Sequence, residues 1–140
     1  MPGLMFFPHT QIATPSTATW WILASEQWED SFQITEGQTP MRLKNKLLEF
    51  FIRPDFNHPR LIKKLSSDPN EGGEIRIDDE DQGFVTIIVP QGIVARDIEP
   101  TITEPWKYLL RVLDRGPGFA WRPQEIVRGE FWCHPGLTTQ

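Results

Sequence analysis

The chain has 140 residues, of which 24% are charged, and its formal net charge is −5. This length suits one domain that can bury a sizeable core without disulfides or metals. The acidic balance argues against the broad basic surface with which proteins bind nucleic-acid phosphates.

The cysteine content and the lengths of the hydrophobic runs further narrow the class of protein to which this chain can belong. Cys133 is the single cysteine, so no internal disulfide can form and no cysteine cluster is present for zinc. No run approaches the ~20 apolar residues of a membrane span, and Met1–Pro8 lacks the basic region and the long apolar core of a secretory signal. We therefore expect a protein made in a reducing cytoplasm, with no membrane contact, no nucleic-acid partner and no cofactor.

Residues 1–16 predict an extended N-terminal arm. They contain three prolines and show no clear period of either a strand or a helix. Their apolar content, which includes Phe6 and Phe7, exceeds that of a solvated tail. We expect this arm to dock on its own domain or on a neighbouring subunit, and residues 17–140 to form a single domain that folds without it.

Between Leu48 and Trp132, short runs of β-forming residues recur about every dozen residues, and two further runs precede them. Pro or Gly closes nearly every run, and Asp78–Gly83 has the composition of a hairpin turn. Residues 91–99 predict one helical turn. The spacing predicts an all-β fold, an antiparallel β-sandwich. The runs cover residues 17–24, 28–34, 48–53, 60–66, 74–77, 84–89, 106–112 and 126–132.

A helix competes with a strand in the segment 41–51. Leu43, Leu47, Leu48 and Phe51 fall at helical spacing. The following Arg-Pro pair and the β-rich surroundings favour a strand, which we predict for residues 48–53.

The second run places an acidic residue among apolar ones. Trp28, Phe32 and Ile34 share one face at a period of two. Asp30 belongs to the same face, so the pattern predicts that its carboxyl lies inward or at the edge of the sheet.

Six tryptophans in a chain of this length indicate either an aromatic core or a partner that covers some of them. Trp20 and Trp21 are adjacent, and adjacent strand residues face opposite sides. One of the two therefore points away from the core unless both faces of the strand are covered. We expect one of them to lie at a partner interface, together with Phe6, Phe7 and Trp121.

The order of six segments resembles a family of small tail-associated proteins and domains of tailed bacteriophages, like the N-terminal immunoglobulin-like domain of the upper baseplate protein of siphophages. The resemblance spans residues 26–135, and residues 1–25 have no counterpart in it. Glu29 also departs from the glycine that the family often has before its acidic residue. The segments are Glu29–Phe32, Phe50–Arg53, Glu71–Ile77, Gly83–Pro90, Trp106–Val112 and Ile126–Phe131.

This resemblance implies an immunoglobulin-like sandwich in the virion that anchors fibres or joins rings of the tail or baseplate. It implies no catalytic residue. The expected partners are other virion structural proteins and further copies of the chain.

The residues that usually carry chemistry are scattered. His9, His58 and His134 each adjoin a proline, and none has a second histidine four residues on. Cys133 and His134 are adjacent, so on a strand their side chains face opposite sides and cannot form a nucleophilic dyad. We expect no catalytic residue and no metal ligand.

Three loops have compositions that could be mistaken for ligand-binding sites. The acidic run 78–81 lacks the calcium-binding spacing of an EF-hand and fits a solvated hairpin tip. The glycines at 72–73 and 116–118 lack the Lys-Ser/Thr of a phosphate-binding loop and fit turns.

The leading hypothesis is a non-enzymatic virion structural protein that assembles a phage tail, baseplate, neck or fibre-attachment site. The first alternative is a carbohydrate- or receptor-binding module that stacks sugars on exposed aromatic rings and holds their hydroxyls with Asp55 or Asp114. The second is a small hydrolase, for which the sequence offers no matched acid and base.

Overall fold

The computed structural model describes residues 10–115 and 121–136. Within these ranges the chain forms eleven strands, one short helix α1 (Gln91–Asp97) and a single 3-10 turn at Pro69–Glu71. The strands are β1 (Thr10–Thr14), β2 (Ser16–Thr17), β3 (Trp20–Leu23), β4 (Trp28–Glu36), β5 (Thr39–Pro40), β6 (Lys46–Arg53), β7 (Lys63–Ser66), β8 (Ile75–Asp79), β9 (Phe84–Val89), β10 (Trp106–Arg115) and β11 (Trp121–His134).

The strands form two sheets that pack as a β-sandwich, which confirms the all-β prediction. The five-stranded sheet has the order β1-β4-β9-β8, with β5 also paired to β4. The six-stranded sheet has the order β2-β11-β10-β6-β7, with β3 also paired to β11. The buried apolar side chains of both sheets meet in one core.

The sandwich is mixed rather than purely antiparallel, so that part of the prediction is wrong. β1 runs parallel to β4, and both β2 and β3 run parallel to β11. The remaining pairs are antiparallel. The parallel pairs arise because the N-terminal segment joins the edge of one sheet and then crosses to the edge of the other.

Part of the predicted arm is a strand of the domain itself. Residues 10–14 form β1, whose register pairs Ile12 with Ile34 of β4. Ile12 is buried in the core. Residues 1–9, including Phe6 and Phe7, lie outside the described residues.

A strand, not a helix, accounts for the ambiguous segment. β6 begins at Lys46 after a turn in which Asn45 has a φ of 60°. Leu48, Phe50 and Ile52 alternate inward and are fully buried. Because side chains alternate between the two faces of a strand, the remaining apolar residues of β6 face outward.

Two other local predictions are confirmed. β8 and β9 form a hairpin around residues 78–83, and α1 occupies the predicted helical turn. No helix in residues 10–115 and 121–136 is long and apolar enough to cross a membrane.

Six aromatic side chains fill the centre of the sandwich. Trp20 packs edge to face against Trp28, Phe32, Phe50 and Tyr108, with ring centroids 5.2–6.2 Å apart. Phe131 completes the group against Trp28 and Phe50. Such edge-to-face pairs are worth about 0.5–1.5 kcal/mol each beyond the area that they bury. Because the six rings come from both sheets, this cluster fixes how the two layers stack.

Tyr108 ties the N-terminal segment to the core through a backbone contact. Its hydroxyl donates to the carbonyl oxygen of Ala18, 2.9 Å away. Gly129 lies opposite Tyr108 on β11, and a Cβ there would come within 2.0 Å of that same carbonyl oxygen. The glycine is therefore needed for close backbone approach, and its φ is not the reason.

We expect Gly129→Ala to lower the free energy of unfolding by about 1–3 kcal/mol, the usual cost of overpacking. The matched control is Gly92→Ala in α1, where a Cβ meets nothing within 4 Å and alanine is the better helix former. Guanidinium denaturation of both variants measures the difference. Equal stability of the two variants would contradict the close approach of Ala18.

The position of β1 sets the limit of a harmless N-terminal truncation. A chain that begins at residue 10 keeps β1 and every described contact. Removing residues 1–16 deletes buried Ile12 and exposes the edge of β4, which costs at least about 2–5 kcal/mol by the scale of large core deletions. Thermal unfolding followed by circular dichroism distinguishes the two, and a stable 17–140 fragment would refute this limit.

Candidate functional site

The outer faces of the two sheets differ sharply in chemistry. On the five-stranded sheet, outward polar side chains satisfy one another: Gln11 Nε2 donates to Gln33 Oε1 at 3.1 Å. The hydroxyls of Ser31 and Thr86 lie 2.9 Å apart, and Thr86 also donates to Asp78 at 2.5 Å. This face offers water a surface of internally paired polar groups.

The outer face of the six-stranded sheet carries rings, aliphatic groups and cations instead. Phe51, Leu109 and Arg128 lie side by side on β6, β10 and β11, as the strand registers require. We call this surface the outer β6–β10–β11 face. It is rich in the aromatic and arginine side chains that protein interfaces favour.

A nearly buried carboxylate organises the cations on this face. Glu49 is 5% exposed. Its Oε1 accepts a hydrogen bond from Arg111 Nε at 2.8 Å and lies 2.7 Å from Arg111 Nη2, while its Oε2 lies 3.1 Å from Lys64 Nζ. The hydrogen bond to Glu49 raises the pKa of Lys64. Arg111 is thereby held with its guanidinium 4.8 Å above the ring of Phe51.

A loop closes over this face and forms a hollow. Arg53 Nη1 donates to the carbonyl oxygens of His58 and Pro59, at 3.3 and 3.0 Å, and so fixes the loop 54–60. Within the loop, Asp55 Oδ1 accepts from the backbone N–H of Asn57 at 2.9 Å. The loop presents Phe56, which is 40% exposed, beneath the guanidinium of Arg128.

The hollow measures about 220 Å³. Its walls combine apolar side chains with three cations and contain no carboxylate. The lining residues are Phe51, Arg53, Phe56, Lys107, Tyr108, Leu109 and Arg111.

The side chains of the adjacent Trp20 and Trp21 face opposite sides of β3, as strand geometry requires. Trp20 has no exposed surface and lies in the aromatic core, so it is not available to a partner and its place among the interface candidates is corrected. Trp21 is half-buried on the opposite side, directly across from Trp132 on β11. The exposed ring of His134 lies 6.0 Å from Trp21 and 6.3 Å from Trp132.

Trp121 remains an interface prediction. The described part of its geometry is its backbone, which opens β11 opposite Arg115. Nothing in the described residues brings it to Trp21, which pairs near the other end of β11.

The residues considered for catalysis do not converge. Cys133 faces the core, where burial raises its thiol pKa to about 12, whereas His134 is exposed on the opposite side of β11. His58 lies in the loop 54–60, and its Nδ1 accepts from the backbone N–H of Arg60. Among the described residues, no three His, Cys, Asp or Glu side chains gather closely enough to hold a metal ion.

Asp114, one of the two acids considered for sugar binding, lies apart from the tryptophan pair. Asp114 pairs with Arg122, ten positions along β11 from Trp132, which is about 33 Å on an extended strand. Asp55 is occupied as the hydrogen-bond acceptor of its own turn. Asp114 and the tryptophan pair therefore do not form one site.

Sequence reasoning missed the hollow and its residues. The alternation of adjacent strand residues, which was applied to the two tryptophans, could also have identified Phe51. Phe50 and Phe51 are adjacent on a strand, so one of them must face outward. Phe56 carries no such periodic signal because it lies in a loop.

Among the described residues, Asp30 is the carboxyl group whose pKa is raised most. It is 7% exposed, and its Oδ2 accepts from the indole N–H of Trp28 at 2.7 Å and of Trp20 at 3.1 Å. Burial raises the pKa of Asp30 to about 7, against the opposing effect of the two indole hydrogen bonds. Enclosed by the core, it serves the fold rather than a substrate.

The mixed β-sandwich has a counterpart among solved structures. A solved structure similar to it is the N-terminal domain of ORF48 of phage TP901-1, with a TM-score of 0.57 and 10% identity. The match covers 91% of this chain and 97% of that chain. At such low identity the likeness establishes a shared fold alone. No protein-family profile matches the chain, and no curated protein matches it in sequence.

The raised pKa of Asp30 predicts a pH-dependent stability. Between its unfolded value of 3.8 and about 7, the unfolded chain ionises this group while the folded chain keeps the proton. Its contribution to stability is therefore fully present below about pH 4 and is lost as the pH rises through about 7.

Asp30→Asn keeps an oxygen acceptor for the indoles and removes this titration. We expect the variant to gain stability relative to the wild type between about pH 4 and pH 8, as measured by urea denaturation across that range. The control is Asp55→Asn, an exposed acid in an equivalent acceptor role. Parallel pH profiles for Asp30→Asn and the wild type would rule out Asp30 as the titrating group.

Proposed function

We propose that the chain is a non-enzymatic structural protein of a phage particle, acting in the assembly of a tail, baseplate, neck or fibre-attachment site. The observation that carries this proposal is the fold shared with a domain of a phage protein over nearly the whole of both chains. The order of the six sequence segments supports it independently. The immunoglobulin-like class of the sandwich belongs to the same proposal.

The surface that we assign to assembly is the outer β6–β10–β11 face, extended along β11 to Trp132 and Trp21. The contrast with the five-stranded sheet supports this choice, because polar groups there are already paired with one another. Half-buried rings and arginines instead gain from a partner that excludes water.

The partners in this proposal are other virion structural proteins and further copies of the chain. Trp21 is the tryptophan of the adjacent pair that remains available to them. Phe6, Phe7 and Trp121 stay interface candidates on sequence grounds. The chain then belongs to the virion after synthesis in the host cytoplasm.

The test is incorporation into particles. A phage whose copy of the gene is interrupted is complemented with the wild-type chain or with a Trp21→Ser, Trp132→Ser double variant. We expect mass spectrometry to find the wild-type chain in purified particles and the double variant at about a tenth of that level or less, a loss equivalent to one strong interface residue.

Gln11→Ala, on the outer face of the other sheet, is the control and should be incorporated normally. Circular dichroism of the purified variants checks that each one is folded. Particles that lack the wild-type chain would refute the structural role. Normal incorporation of a folded double variant would refute only the choice of face.

A further inference from the structure

The hollow on the outer β6–β10–β11 face contains a like-charge pair of which one member, Lys107, has a carboxylate partner. Lys107 and Arg53 occupy directly opposite positions on β10 and β6, an arrangement that costs stability when two charges of one sign face each other. The nearest carboxylate to Lys107 is that of half-exposed Glu130, 3.7 Å away. In residues 10–115 and 121–136, no carboxylate lies within ion-pair distance of Arg53.

The neighbouring cations have closer carboxylate partners than Lys107 does. Arg111 is held by Glu49 and Arg128 by Glu125. Arg53 uses Nη1 for the two loop carbonyls, and this fixes the plane of its guanidinium beside the hollow. A guanidinium oriented in this way can meet a carboxylate with two parallel hydrogen bonds.

Apart from Arg111, which Glu49 holds, the remaining side chains described around the hollow are apolar. The ring of Phe51 and the side chain of Leu109 lie on its floor as outward residues of β6 and β10, and Phe56 projects from the loop at its side. The hollow therefore joins two cations to a surface that suits a ring or a large aliphatic group.

We propose that this hollow binds a segment of a partner protein in which a carboxylate adjoins an aromatic or large apolar side chain. The carboxylate pairs with Arg53 and Lys107 and removes their mutual repulsion, while the apolar side chain lies between Phe51 and Phe56. This deepens the proposed function, on which it rests for the identity of the partner as a virion protein.

The test uses N-acetylphenylalanine, which carries both a carboxylate and a phenyl ring, as the probe for the full chain. Two-dimensional NMR at low salt should show saturable shifts at Phe51, Phe56, Lys107 and Leu109. A dissociation constant of about 1 mM is expected for a ligand of this size. N-acetylphenylalaninamide, which lacks the charge, should bind about 10-fold more weakly.

Two variants separate the charge from the ring. Lys107→Gln should weaken probe binding several-fold and reduce its salt dependence, and Phe56→Ala, on an exposed loop, should weaken it without unfolding the chain. Lys44→Gln, at an exposed lysine just before β6, is the matched control and should bind as the wild type does.

Equal binding of the acid and the amide, or no saturable shift with the acid at about 20 mM, would overturn the proposal. These outcomes do not depend on the particle experiment. Probe binding by a chain that is absent from particles would leave the hollow standing and refute the assembly role. Incorporation of a chain that does not bind the probe would do the reverse.

Discussion

The buried carboxyl of Asp30 is the interaction on which the stacking of the two sheets depends. It accepts hydrogen bonds from two indoles, one on β3 of the six-stranded sheet and one on its own strand β4 of the five-stranded sheet. A buried acceptor without partners would cost free energy, so the two rings and the carboxyl fix each other's positions. The edge-to-face aromatic cluster is built outward from Trp20 in this fixed orientation.

Strand alternation then distributes the remaining side chains. Once Trp20 and Phe50 point inward, Trp21 and Phe51 must point outward, and both belong to the six-stranded sheet. The rings on that outer face are thus a geometric consequence of filling the core with their neighbours. Arg111, Glu49 and Lys64 cover Phe51 with charge while leaving the hollow beside it open to a ligand.

Much of the fold was predictable because strand periodicity and turn residues are local properties. β6, β9 and α1 lie where apolar alternation, proline and glycine placed them. The parallel pairing of β3 with β11 was not predictable, because nothing in residues 20–23 specifies a partner at the other end of the chain. The hollow was also beyond prediction, since it depends on Arg53 binding the carbonyls of a loop whose path has no periodic signal.

The pairing of Trp20 with Phe131 also determines when the sandwich can close as the chain is synthesised. Strand β3 leaves the ribosome early, but the strand that covers its edge is the last of the described elements to emerge. Until then Trp20 has no complete core to enter, and both tryptophans remain exposed on a growing chain. The sandwich therefore closes only once β11 has been made, at the slow rates typical of sheets built from distant segments.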